Sequence, residues 1–175
     1  TGFLGSSVCK AFVEEGALVT GVYVFDTEMP NFEQTLGADA KKVTLVKADV
    51  TREGEMDRVV GETVRRFKRV DALVNTVGGY MAAPVEETTS KEFDDGMALN
   101  LESAFLACKA VIPAMRKKRR GKIVSVSTRT SLRGEAEAFL YSTSKAGINR
   151  LTETLAEELM EANIQVNCVM PSILD

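Results

Sequence analysis

Hydrophobic and polar positions along the chain alternate between two periods, and the order of those periods sets out a fold. Residues 6–16, SSVCKAFVEEG, put Val8, Ala11 and Phe12 at helical spacing and close on Gly16, a helix stop. The run 17–25, ALVTGVYVF, is β-branched and aromatic and predicts a strand. A turn-rich stretch follows, with one short helix expected after Pro30. Residues 42–48, KVTLVKA, predict a second strand, and 55–67 a helix with Met56, Val59, Val60, Val64 and Phe67 inward.

The alternation continues. Residues 71–75, DALVN, form a short apolar strand, followed by a loop with Gly78, Gly79 and Pro84. Phe93, Met97, Leu101, Phe105, Cys108 and Ile112 step by three or four, which predicts one long helix over 90–118. A strand is expected at 122–127. The next helix, 141–160, carries Ile148, Leu151, Leu155 and Leu159 on one stripe, and a last strand covers 164–170. Strands that alternate with helices through short connections imply βαβ units and a parallel sheet covered on both faces. The expected fold is α/β: a single doubly wound, three-layer αβα domain over 1–175.

Composition narrows the chemistry. The 175 residues are 45% hydrophobic and 27% charged, with net charge −3, ordinary for a globular domain and unlike the basic footprint of a nucleic-acid binder. No uninterrupted apolar run approaches the ~18 residues of a membrane span, so neither nucleic acid nor membrane is an expected partner. The three cysteines, Cys9, Cys108 and Cys168, lack metal-ligand spacing and read as buried reduced thiols of a cytoplasmic protein. Histidine is absent, which removes the commonest general base and metal ligand. No metal site is expected, and acid–base chemistry falls to Tyr, Lys, Asp, Glu or Cys. The basic run 116–120, RKKRR, lies where a helix C-terminus is expected and reads as a solvated helix end.

One pair stands out within that restriction. Tyr141 and Lys145 are four residues apart at the start of a predicted helix, so they share a face. Free phenol, with a pKa of about 10, is a poor proton donor and acceptor near neutrality, and a neighbouring ammonium favours its ionised form. Asn100 lies among Leu99, Leu101 and Phe105, where a polar amide requires hydrogen-bond partners.

Other residues fall at predicted strand ends, where ligands bind in open α/β sheets. TGFLG at 1–5 precedes a helix, where glycines allow a tight turn and a close backbone approach to a pyrophosphate. Asp26 follows one strand and Asp49–Val50 the next; Asp49 reads equally as a turn residue or as an adenine contact. NTVGG, STRTS and PSI follow the remaining three strands.

Taken together and in order, TGFLG, the DV pair at 49–50, NTVG at 75–78, Asn100 within ALNLESAF, and YSTSK at 141–145 resemble the short-chain dehydrogenase/reductase family, in its classical branch, over essentially the whole chain. That resemblance implies a Rossmann-type fold, an NAD or NADP cofactor, and hydride transfer to or from a small-molecule carbonyl or alcohol. It implies Tyr141 as acid/base and Lys145 as its partner and the holder of the nicotinamide ribose. Asn100 would link Lys145 to solvent through water. The family's substrate-binding serine lies thirteen residues before the tyrosine; gapless counting gives Thr128, whose stiff branched side chain can donate the same bond. The cofactor-binding residues implied are Thr1, Gly2, Leu4, Gly5, Asp26, Asp49, Val50, Asn75, Val77, Gly78, Pro171 and Ile173, together with Tyr141 and Lys145.

The sequence departs from the family at several points: Thr76 and Val77 replace the usual Asn and Ala, and Ser172 the usual Gly. The glycine loop also resembles the extended branch, with its sugar-nucleotide epimerases, and a nucleotide-binding module without turnover is a further alternative. Gapless counting puts Tyr23 where the ribose-binding acid usually stands, with Asp26 three residues later. With no lysine or arginine expected near it, Asp26 favours NAD over NADP. Helices 90–118 and 141–160 are where family members pair, so a homodimer or homotetramer is expected. Both ends read as truncated, lacking the family's first strand and its C-terminal substrate segment. Such a start is compatible with a targeting segment upstream, and the isolated 175 residues are expected to fold poorly.

Overall fold

The computed structural model describes residues 1–172, and the chain divides into two compact units, Thr1–Arg69 and Val70–Asp175. The first begins with α1 (Phe3–Glu14), β1 (Val19–Tyr23), α2 (Met29–Leu36), β2 (Val43–Lys47) and α3 (Glu53–Phe67). β1 and β2 pair in parallel, with Tyr23 opposite Lys47 at their carboxyl ends. Gly16 ends α1 as expected. Its φ of +80° lets its N–H reach Val13 O while Ala17 N–H reaches Phe12 O, a Schellman turn. The inward stripe of α1 differs from the expected one. Cys9 and Val13 pack with Phe32, Leu36 and Val43, whereas Phe12 is 38% exposed and Ala11 faces solvent. Both stripes have helical spacing, and only the position of α2 decides between them. α2 itself starts at Met29, with Pro30 in its first turn, where a missing N–H is tolerated.

The second unit holds β3 (Ala72–Asn75), α4 (Ser90–Met97), α5 (Ser103–Lys118), β4 (Gly121–Val126), α6 (Phe139–Leu159) and β5 (Ile164–Val169). Its sheet is parallel, in the order β3-β4-β5. Ile123, Ile148, Leu159, Met115 and Val111 are almost fully buried and form much of its core. Thr89 and Glu92 make a capping box that starts α4, each side chain satisfying the other's backbone N–H. At the far end, Arg119 closes α5 with φ +50°, Arg116 pairs with Glu158, and Arg119 Nη2 donates to Glu161 O. The RKKRR run is thus a helix end.

The predicted long helix 90–118 is interrupted. Ala98–Glu102 forms a π-turn joining α4 to α5, with Asn100 in its middle. Asn100 Nδ2 donates to Gly96 O, the carbonyl that an α-helical Asn100 N–H would use. By length and mean hydropathy, 1.3 over its best window, Ser90–Lys118 could cross a membrane. Ala104, Leu106, Ala107, Cys108, Val111 and Met115 are nevertheless buried, so one face of α5 is a core face. The expected inward stripe is only partly inward: Cys108 is buried, while Phe93 and Phe105 are 40% and 45% exposed.

Candidate active site

In the second unit the carboxyl ends of β3 and β4 and the first turns of α6 bring several polar groups together. Lys145 is 4% exposed, and its Nζ donates to Val126 O at 2.9 Å, which uses one of its three protons. Burial lowers its pKa from the ordinary 10.5. Nζ lies 5.9 Å from the ring centroid of Tyr141, one helical turn back. The sequence-predicted pair therefore meets on one face of α6.

Asn100 is 1% exposed and commits its amide to the loop after β3. Its Oδ1 accepts from Gly79 N–H and its Nδ2 donates to Gly79 O, both at 3.0 Å. That loop passes very close to the buried polar groups: a Cβ at Gly78 would stand 2.7 Å from Lys145 Nζ and 2.8 Å from Asn100 Oδ1. A side chain there would have to push both Lys145 and Asn100 aside, so glycine is favoured for lack of space rather than for its φ. Asn75 turns inward, donating to Ser125 Oγ at 3.0 Å and to Cys108 Sγ at 3.7 Å. Burial pushes the Cys108 thiol up to about 11, which leaves it unreactive. Val77 is 38% exposed.

Thr128 ends the strand segment beyond β4 and is 9% exposed. Its Oγ1 accepts from Thr130 N and Oγ1, both at a long 3.4 Å, so its own proton remains available to a substrate oxygen. Its backbone is firmly held: Ser131 Oγ donates to Thr128 O at 2.6 Å and in turn accepts from Asn149 Nδ2 at 2.7 Å. Ser127 Oγ donates to Lys145 O at 3.0 Å, tying β4 to α6. Pro171 O accepts from Arg129 N–H. Ile173 lies outside the described residues.

One residue that sequence reading passed over belongs with this cluster. The Tyr80 ring meets the Tyr141 ring edge-on, centroids 5.2 Å apart at 74°. Its sequence signal was slight, an aromatic directly after the two glycines of the loop.

The first unit carries the other predicted residues, at the carboxyl ends of β1 and β2. Gly2 caps α1 at its N-terminus, and a Cβ there would meet nothing within 4 Å. Packing within the protein does not demand that glycine, and the open space suits an anion at the helix start. Thr1 Oγ1 donates to Glu28 Oε2; Gly5 is buried and Leu4 half-buried. Asp49 closes an Asx turn. Its Oδ1 accepts from Thr51 Oγ1 at 2.6 Å and Thr51 N–H at 3.1 Å, and these bonds hold its carboxyl below the usual range. Val50 is half-buried beside it. Asp26 corrects an expectation. Lys47 Nζ sits 2.6 Å from its Oδ2 and 5.9 Å from the Tyr23 ring centroid, so a lysine does stand beside it. Register across the β1–β2 pair, invisible in the sequence, brings Lys47 there.

A parallel-sheet α/β chain with a buried Lys one turn from a Tyr, beside a glycine loop pinned by a buried Asn, defines a class of nucleotide-dependent oxidoreductase fold. Comparison with known proteins agrees, because the short chain dehydrogenase family model matches residues 1–175. The chain belongs to the short chain dehydrogenase family. It is similar to L-fucose dehydrogenase of Oryctolagus cuniculus, 31% identical over 169 residues, covering 96% of this chain and 58% of that protein. Cyclopentanol dehydrogenase of Comamonas testosteroni is 33% identical over 174 residues, covering 98% and 68%. Among solved structures, a short-chain dehydrogenase from Streptomyces avermitilis superposes with TM-score 0.90 at 28% identity, covering 100% of this chain and 63% of the other. Levodione reductase gives 0.89 at 27%, covering 97% and 67%. The chain thus spans about three-fifths to two-thirds of the curated relatives it matches, and the Rossmann-type fold is that of these structures.

Proposed function

We propose that the protein is an NAD(P)-dependent oxidoreductase acting on CH–OH groups or the corresponding carbonyls, with Tyr141 as acid/base. The observation that carries this reading is the buried Lys145 ammonium 5.9 Å from the Tyr141 ring, one turn along α6. A buried cation with one protein acceptor is poorly solvated, and ribose hydroxyls would complete its hydrogen bonding. Those features fit a nicotinamide riboside, held by Lys145, Tyr141 and the loop from Asn75 to Gly78. Gly2 at the start of α1 suits the pyrophosphate, and Asp26, Asp49 and Val50 suit the adenosine.

When bound, the nicotinamide supplies or removes the hydride. The chain's own residues manage the proton. Thr128 donates to the substrate oxygen, Tyr141 gives that oxygen its proton on reduction or takes it on oxidation, and Lys145 stabilises the phenolate left behind. Asn100 fixes the Gly78–Gly79 backbone; its further part in a water-linked proton path is an expectation from the family. A nucleotide-binding module without turnover would use Lys145 for the ribose but has no need of Tyr141 beside it, and an epimerase has no support among the named relatives.

NAD is the favoured cofactor, because Asp26 presents a carboxylate where a 2′-phosphate would have to displace it from Lys47. The oligomer is a dimer or tetramer of identical chains, built on the half-exposed apolar face of α4, α5 and α6. Met97, Leu101, Phe105 and Leu151 line an open groove of about 610 Å³ there. Cytoplasmic residence remains the expectation from the free thiols. The direct test is spectrophotometric: full-length protein with NAD or NADP and a panel of secondary alcohols, followed by nicotinamide absorbance. Cofactor-dependent turnover supports the proposal; binding of NADH without turnover on any alcohol or ketone would favour the silent module.

A further inference from the structure

Tyr80 is a large aromatic residue left 62% exposed, on a loop whose backbone is held at both ends. The peptide before it is gripped by Asn100 at both its N–H and its carbonyl side. Three residues on, Ala83 N–H donates to Glu137 O at 2.8 Å, and Glu137 adopts a left-handed φ of +62° where that carbonyl is offered. Between these anchors Met81 lies against Gly96, where a Cβ would meet its Sδ at 3.0 Å. The backbone that carries Tyr80 is thus anchored on both sides of it.

The ring meets Tyr141 edge-on at 5.2 Å, opposite in kind to the cationic neighbour Lys145. That edge-on contact leaves Tyr80 62% exposed. Tyr80 thus stands beside the residue that we take to exchange the proton, with ring centroids 5.2 Å apart. A small polar substrate would gain nothing from it. An apolar ring carrying the reacting oxygen would bury area against it while keeping that oxygen near Tyr141.

We propose that Tyr80 is a specificity-determining residue, an aromatic wall that selects cyclic, apolar ketones and secondary alcohols over small acyclic ones. The inference rests on the reading of Tyr141 as the acid/base group. The wall binds ground state and transition state alike, so removing it raises KM for ring substrates and leaves kcat nearly unchanged.

The test compares cyclohexanone with acetone, in the full-length protein with its reduced cofactor, for wild type, Tyr80→Phe and Tyr80→Ala. Tyr80→Ala is expected to raise KM for cyclohexanone about tenfold while changing acetone kinetics by less than about threefold. Tyr80→Phe, which keeps the ring, should retain the wild-type preference. A ring preference unchanged in Tyr80→Ala would overturn the proposal while leaving the oxidoreductase reading intact. An equal fall in kcat on both ketones would overturn it too, since Tyr80 would then only hold Tyr141 in place. Wild type that reduces neither ketone, nor any other carbonyl, would sink the oxidoreductase reading and this inference with it.

Discussion

Asn100 grips the Gly79 peptide from both sides, accepting its N–H and donating to its carbonyl at 3.0 Å each, and thereby presents Gly78 to Lys145. The same side chain takes the Gly96 carbonyl and opens the π-turn in which it sits. One buried amide thus fixes both a helix irregularity and the loop that borders Lys145.

Asn100→Ala should therefore be costly in stability as well as activity. It removes three hydrogen bonds and leaves Gly79 and Gly96 groups without these partners, a loss of about 2–4 kcal/mol. Urea unfolding of the full-length protein checks this through its midpoint. Asn100→Asp, which keeps the acceptor for Gly79 N–H but loses the amide donor, should fall between wild type and Ala.

Lys145→Met should separate stability from function. Hydride transfer falls by about 10²-fold or more, because phenolate stabilisation and a cofactor contact are both removed. Thermal stability is expected to hold or rise, since an apolar side chain replaces a buried cation. The pH dependence gives a second readout. Burial lowers the Lys145 pKa in the folded state below 10.5, so the folded protein binds that proton less readily than the unfolded chain. The penalty is present at neutral pH and is relieved as pH rises from the lowered value to about 10.4. Wild type should gain on Lys145→Met in stability over that alkaline window.

Asp26→Ala should change cofactor choice. Lys47, released from its 2.6 Å ion pair, becomes free to meet a 2′-phosphate. The ratio of NADPH to NADH affinity is expected to rise about tenfold or more, read by equilibrium fluorescence titration. The further change Lys47→Ala should cancel that gain. The pair itself is exposed, and neither variant should melt much earlier than wild type.

Phe105→Glu places a charge on the half-exposed face of α5 beside Met97 and Leu151. Light scattering on the full-length protein should show a smaller assembly than wild type. An unchanged mass would mean that this face is not where the copies meet.

Much of this architecture was legible in the sequence, and the gaps have definite physical causes. Strand 42–48, helix 55–67 and the Gly16 stop follow from local period and backbone chemistry, and their counterparts form close to the expected places. Tyr141 and Lys145 were legible because four-residue spacing on a helix fixes their relation. Thr128 was reached by counting back from Tyr141, but whether its hydroxyl is committed depends on Thr130, which folds back locally. The π-turn was hidden, since Asn100 had to reach Gly79, 21 residues away, to reveal its partners. Lys47 beside Asp26 depended on strand register, and Tyr80 on a loop anchored at Gly79 and Ala83; neither leaves a periodic trace.

The central claim is that Tyr141 exchanges the proton. Single-turnover hydride transfer with Tyr141→Phe in the full-length protein, with cofactor affinity measured alongside, tests it most directly. The account predicts a rate at least about 10³-fold below wild type with NADH still bound within several-fold of wild-type affinity. Near wild-type transfer by Tyr141→Phe would contradict it.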